Sequence, residues 1–163
     1  MTAEQILPYT PTDGVDLVTS GMPCETFSTA GNTSRSFYDD RQFLFREGIR
    51  IARICQAKMI LFENVPAITS KKTAKDSDLL IVDVLKKELR EAGYGNYMEV
   101  VLDSTKFGVP QKRSRFFILA CRHARWWLQA PDHYRRPVGV GDALAGLPNV
   151  NANSGIEGKE YTG

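Results

Sequence analysis

The stretch Val15-Asp16-Leu17-Val18-Thr19-Ser20-Gly21-Met22-Pro23-Cys24 decides how the chain reads. Asp16 to Ser20 is apolar and β-branched enough to read as a short buried strand. Gly21 and Pro23 then stop it. Cys24 is left where strand gives way to loop, the edge at which open α/β sheets hold their ligands. A lone cysteine is more often inert core than reagent. This one stands beside Pro and the polar run Glu25-Thr26-Phe27-Ser28-Thr29-Ala30-Gly31, not inside an apolar segment. The loop runs on to residue 40, and an irregular loop of that length in a compact domain is usually functional.

Outward from this point the pattern alternates between helix and strand. From Asp40 to about Gln56, Leu44, Phe45, Ile49, Ile51, Ala52, Ile54 and Cys55 recur at helical spacing. Lys58 to Phe62 is a continuous apolar run, expected to be a strand buried on both faces, and Glu63-Asn64-Val65-Pro66 ends it. A loop with Lys71, Lys72 and Lys75 leads to Asp76 or Ser77, which can cap a helix running to Ala92, with Gly93 as its stop. Tyr97–Leu102 and Phe116–Cys121 read as strands, and their short connection suggests an antiparallel pair. Val140–Leu147 is a short helix. The order β-α-β-α-β-β predicts an α/β sheet, mostly parallel with one antiparallel strand.

Composition excludes several classes of protein. The 163 residues suffice for one domain with a real core, and 42% hydrophobic with 25% charged residues is ordinary for a globular chain. A net charge of +2 is too small to imply nucleic acid by itself. The cysteines Cys24, Cys55 and Cys121 are odd in number and widely spaced, with no C-x-x-C, so no metal site is read. They fit a reducing, cytoplasmic setting. Met1–Pro11 has no apolar leader core and no run could span a bilayer, so no membrane partner is expected.

The strand ends carry the candidate chemistry. Glu63 is either an exposed loop carboxylate or a partly desolvated acid able to hold or donate a proton. Gln111-Lys112-Arg113-Ser114-Arg115 precedes a strand; in extended geometry Gln111, Arg113 and Arg115 share a face, as they also would on a solvated edge. Arg113 and Arg115 could supply the cationic surroundings that a reactive thiolate needs. A cysteine hydrolase would instead pair Cys24 with His123 or His133 and gains nothing from Glu63 or Gln111–Arg115. Arg122, His123, Arg125, Trp126 and Trp127 read as a solvated strand exit whose tryptophans pack on the domain. Cys55 and Cys121 read as core.

Together these motifs resemble the DNA cytosine-5 methyltransferase family. The match runs through Pro23-Cys24, Phe27-Ser28, Ala30-Gly31, Asp40-Arg41, Leu44-Phe45, Glu63-Asn64-Val65, Gln111-Lys112-Arg113-Ser114-Arg115 and Val140-Gly141-Asp142-Ala143-Leu144. It covers roughly Asp16 to Pro148, and motifs in this order and spacing are specific. The resemblance implies part of a Rossmann-like class I methyltransferase sheet, with S-adenosylmethionine as methyl donor and DNA as partner. It implies Cys24 as the nucleophile on C6 of a flipped cytosine and Glu63 at N3 and the 4-amino group. Arg115 would hold O2, and Arg113 would support that loop. Pro23 would wall base from cofactor, and Leu44 and Asn64 would lie near the methyl donor. Ser28 and Gln111 are expected on the substrate side.

The resemblance leaves out the family's Phe-x-Gly-x-Gly cofactor loop, its closing motifs and its target-recognition domain. Residues 1–148 are therefore expected to be a partial catalytic domain. Residues 149–163 are expected to be a polar tail or the start of a target-recognition region. Glu25 stands where the family has Gln, and Gln42 where it has Gly. A second chain supplying the missing strands is an expected partner. The alternatives are a catalytically incomplete DNA- or partner-binding chain and a tRNA cytosine-5 methyltransferase.

Overall fold

A computed structural model describes residues 2–23, 40–126, 128–133 and 136–147. A short helix α1 (Ala3–Ile6) and a 3-10 turn (Leu7–Tyr9) precede β1 (Leu17–Gly21). Then follow a 3-10 turn (Asp40–Phe43), α2 (Phe45–Ile54), β2 (Met59–Asn64), α3 (Ile81–Glu91), β3 (Asn96–Asp103), β4 (Ser114–Cys121) and α4 (Val140–Leu144). The four strands form one sheet in the order β1-β2-β4-β3. β1 and β2 are parallel, and β4 runs antiparallel to both β2 and β3, so three strands share one direction and β4 opposes them. This is the α/β sheet with a single reversed strand that the sequence predicts. No helix among the described residues is long and apolar enough to cross a membrane.

The core lies under one face of the sheet. Ile60, Phe62, Ile118 and Ala120 point to it and meet Phe45, Ile49 and Ala52 of α2 and Ile81, Leu85 and Leu89 of α3. Each buried aliphatic or aromatic side chain contributes about 1.5–3 kcal/mol of transfer free energy. β2 alternates in burial, contrary to the expectation of a strand covered on both faces. Ile60, Phe62 and Asn64 are buried, whereas Met59, Leu61 and Glu63 are partly open. The strand also runs on through Glu63 and Asn64, because both still pair, with Phe117 and Phe116 of β4.

Two helix starts differ from the pattern. α3 begins at Ile81, not at Asp76 or Ser77. Lys72 bridges Leu80, Thr73 N–H donates to Leu79 O and Ile81 N–H to Lys71 O, so residues 71–80 spend their backbone groups on a closed loop. The Ser77 hydroxyl accepts from Leu79 N–H inside that loop instead of capping the helix. Gly93 does stop α3, with φ of 89° in the left-handed region. The segment from Asp40 opens as a 3-10 turn, and Leu44 ends up 38% exposed at the start of α2. The exit from β4 is solvated, as read from sequence, with residues 122–126 exposed; Trp126, 38% exposed, lies 4.8 Å from the His123 ring, and Asn96 Nδ2 donates to its carbonyl. Cys55 and Cys121 are buried, as read from sequence. Trp127 and the tail from residue 148 lie outside the described residues.

The sheet and α2 approach most closely at Gly48. A Cβ there would sit 2.7 Å from Phe62 Cε1 and 2.9 Å from Ser20 Oγ. Neither neighbour can retreat, since Phe62 is buried and Ser20 pairs with it across β1 and β2. Gly48→Ala gains about 1 kcal/mol of helix propensity but overpacks the contact by about 1–3 kcal/mol. The variant is expected to be destabilised in urea unfolding, opposite in sign to the propensity effect alone.

Candidate active site

Parallel pairing brings the carboxyl ends of β1 and β2 side by side, and the reversal of β4 brings its amino end to the same edge. Gly21 of β1 is in register with Glu63 of β2, and Glu63 with Phe117 of β4. Arg115 lies two residues before Phe117, so it shares the Glu63 face one step further along, in diagonal cross-strand reach. Its Nε lies 2.9 Å from Glu63 Oε1, and its Nη1 donates to Ser114 O at 2.8 Å. The Glu63 side chain is 38% exposed and that of Arg115 22%, so the pair opens to solvent at the sheet edge. A carboxylate and a guanidinium held this way present acceptor and donor atoms to one ligand.

Pro23 is exposed two residues beyond β1, and the buried Met22 anchors it to the core. Cys24 and Ser28 lie outside the described residues. Leu44 stands at the amino end of α2, one turn before the Gly48 contact with the ends of β1 and β2. Asn64 ends β2 on the helix side and is 2% exposed. Its Oδ1 accepts from Val65 N–H at 2.8 Å, while its Nδ2 has no partner among the described residues.

The expected shared face of Gln111, Arg113 and Arg115 is not formed. β4 begins at Ser114, so only Arg115 is on the strand, and Gln111 and Arg113 are exposed in the turn before it. Ser104 holds that turn instead: its hydroxyl donates to Gln111 O and accepts from Arg113 N–H. The hydrolase alternative loses one histidine by topology. His123 follows Cys121, which pairs with Met59 at the amino end of β2, about a strand's length of roughly 20 Å from Arg115. His133 packs edge-on against Phe107, 5.6 Å between ring centres.

Sequence reasoning missed one polar residue near the site, Asp103, and did not foresee the contact made by another, Gln42. Asp103 ends β3, and its Oδ1 accepts from Thr105 N–H and Thr105 Oγ1, at 3.0 and 2.7 Å. Its Oδ2 accepts from Ser114 Oγ at 3.4 Å, which ties the β3 end to the residue before Arg115. An Asp three residues ahead of a Lys-Phe-Gly turn is the signal that could have found it. Gln42 is fully buried, its Nε2 donates to Thr73 O at 3.2 Å, and its Oε1 has no partner among the described residues. The side chain singled out as a departure at this position therefore ties the 3-10 turn before α2 to the loop after β2.

The four strands, with their helix-covered core and the Glu63–Arg115 pair at one edge, form an open α/β fold. The methyltransferase EhMeth of Entamoeba histolytica shares it: TM-score 0.64, 17% identity, 93% of this chain and 43% of that one covered. The chain belongs to the C-5 cytosine-specific DNA methylase family, whose profile matches residues 3–140. It is 33% identical over 140 residues to the type II methyltransferase M1.HphI of Haemophilus parahaemolyticus, covering 85% of this chain. To M.DdeI of Desulfomicrobium norvegicum it is 29% identical over 153 residues, covering 90% of this chain. The chain spans 36% of the length of each of these relatives.

The hydrogen bonds from Thr105, first its hydroxyl and then its N–H, hold the Asp103 carboxyl below the usual aspartate value of 3.8. A depressed folded-state value means the bonds stabilise the fold above the unfolded-state value and are lost as pH falls through the folded one. Asp103→Ala is expected to lower the melting temperature at neutral pH. The gap to the parent protein should close progressively below about pH 4 in melts taken across a pH series.

Proposed function

We propose that this chain carries the base-handling part of a DNA cytosine-5 methyl transfer. The observation that supports it most is the Glu63–Arg115 pair at the carboxyl edge of the sheet, beside the Pro23 that precedes Cys24. C5 of cytosine is a poor nucleophile until something adds to C6. The Cys24 thiolate would add there, and the electron pair of the C5–C6 double bond would become available at C5. Glu63, at N3 and the 4-amino group, would stabilise the protonated ring as charge builds, and Arg115 would hold O2 from the same edge. After C5 is methylated, its proton would leave to a base, and the returning electron pair would re-form C5–C6 and expel Cys24. One hard substitution thus becomes two easier steps. The reacting atoms are buried in a duplex, so the base has to be flipped out, with Ser28, Gln111 and Arg113 on the substrate side.

S-adenosylmethionine, the donor that the family implies, would supply the methyl group from its sulfonium. Pro23 after β1, Leu44 before α2 and Asn64 at the end of β2 would hold one side of such a ligand. Leu44 is an exposed apolar surface, and the buried Nδ2 of Asn64 is a donor with no acceptor among the described residues. The other walls of the crevice would come from polypeptide outside the matched segment. Work on DNA would place the protein in the cytoplasm, with the nucleoid in a bacterium.

The test uses a graft in which residues 3–140 replace the matching segment of the HphI methyltransferase. With S-adenosylmethionine and DNA containing 5-fluorocytosine, fluorine cannot leave as a proton does, so an adduct that survives denaturation is expected. Cys24→Ser should give none. A folded graft that forms no adduct, or forms it equally with Cys24→Ser, overturns the reading. In the same graft Glu63→Gln should cut turnover about 10²–10³-fold, as for loss of one charge-stabilising group, with DNA affinity changed only a few-fold. Lost binding with unchanged turnover per bound complex would contradict the role given to Glu63.

A further inference from the structure

Glu63 and Arg115 are held very differently by the sheet. Glu63 has a strand on each side, with Gly21 of β1 and Phe117 of β4 as its partners. Pairing of β4 with β2 stops at Phe116, which faces Asn64, the last residue of β2. β4 nevertheless begins at Ser114. Among the described residues its first two pair with β3 alone, Arg115 against Leu102 and Ser114 against Asp103. Residues 111–113 before them are exposed. A strand end with one neighbour and solvent beyond opens readily. The direction of the Arg115 side chain therefore depends on what fixes the last step of the β3–β4 ladder.

That step carries more than backbone pairing. Asp103 Oδ2 accepts from Ser114 Oγ at 3.4 Å, and Oδ1 accepts from Thr105 N–H and Oγ1, which orient the carboxylate. Ser104 N–H donates to Arg113 O at 3.0 Å, just outside the strand. Ser114 in turn offers its carbonyl to Arg115 Nη1 at 2.8 Å. One residue is thus held through its hydroxyl and holds the guanidinium through its carbonyl. Nε is 2.9 Å from Glu63 Oε1, and Nη2 has no hydrogen-bond partner among the described residues. A planar guanidinium fixed at two corners has its third aimed. Side chains alternate along a strand, so Ser114 points to the side opposite Arg115. The Asp103 carboxylate meets the Ser114 hydroxyl there, behind the strand as seen from Glu63.

We propose that Asp103 is a positioning residue for the methyl transfer: by holding Ser114 from behind the strand, it sets where Arg115 presents its remaining N–H groups to the carbonyl of the base. The proposal rests on the reading of Arg115 as the group that holds O2. Asp103 itself makes no contact with the base. Misplacing a positioning group by about 1 Å can cost about 10²-fold in rate, so opening of this strand end is felt at the reacting ring.

The test follows adduct formation by the HphI graft with 5-fluorocytosine DNA and S-adenosylmethionine, both in excess. The adduct is final, so each competent site reacts once. The amplitude counts competent sites, and the rate constant reports how well each handles the base. A merely structural role lowers the first and not the second. Asp103→Ala is expected to lower the rate constant about tenfold. Asp103→Asn should restore it to within about threefold of the parent, because the amide oxygen still accepts from Thr105 and the amide nitrogen donates to Ser114 Oγ. Ser114→Ala removes the link but leaves the Thr105 bonds; it should slow the reaction as Asp103→Ala does, and it gives the answer if Asp103→Ala does not fold. In an Arg115→Ala background, Asp103→Ala should add less than about twofold, since no guanidinium remains to be positioned. The proposal is overturned if Asp103→Ala or Ser114→Ala lowers only the amplitude, or if Asp103→Asn is as slow as Asp103→Ala. It is also overturned if the effects of Asp103→Ala and Arg115→Ala multiply. Those outcomes leave the roles of Cys24 and Glu63 standing, whereas a folded parent graft that forms no adduct removes the catalytic reading and this proposal together.

Discussion

Antiparallel pairing of β2 with β4, from Met59 against Cys121 to Asn64 against Phe116, is the constraint on which the rest of the structure depends. It puts Ile60, Phe62, Phe116, Ile118 and Ala120 on one side, where they join the core with α2 and α3. The same register puts Glu63 and Arg115 on the other side, at the strand ends. Side chains alternate with period two, so a slip of one residue would turn Arg115 towards the helices and expose Phe116 and Ile118. A lone guanidinium buried there would cost several kcal/mol. Core packing and the charged pair therefore specify the same register, and neither can change without the other.

The polar strand ends are held by a second set of contacts. Asp103 and Ser104 lock the turn between β3 and β4, so Arg115 enters its strand from a defined direction. Gln42 fastens the turn before α2 to the loop after β2. Asn64 Nδ2 and Gln42 Oε1 are buried without partners among the described residues. A buried polar group left unpaired costs about 1–3 kcal/mol. Asn64 closes β2, so its Nδ2 lies at the carboxyl edge of the sheet. Exposed ion pairs such as Arg50–Glu47 and Lys58–Asp16 lie on the surface and contribute little by comparison.

The two sides of the sheet thus have different standing. The covered side is a packed interior, with α2 brought close enough at Gly48 to exclude even a methyl group. The other side carries Met59, Leu61, Met98, Val100, Phe117 and Leu119, each only partly buried. An apolar face of this extent is a source of association for any chain that shows it.

By itself the sequence determined the order of elements from β1 onward, the position of Pro23 just past β1 and of Glu63 close to the end of β2, the stop at Gly93 and the family. These are local matters of apolar runs, glycine and proline punctuation, and motif order along one chain. It also carried the suggestion that β3 and β4 are antiparallel, since their connection is too short for a crossover. Only the tertiary structure decided that Arg115 and not Arg113 or Gln111 reaches Glu63, because that depends on where pairing with β2 lets β4 begin. It likewise decided that α3 waits until Ile81, because the preceding loop closes on itself through Lys71 and Lys72, contacts that helix propensity does not register. The one-sided burial of β2 was hidden for the same reason. A continuous apolar run reads alike whether helices cover both faces of its sheet or only one, and the covering layer is set by contacts between elements far apart in the chain.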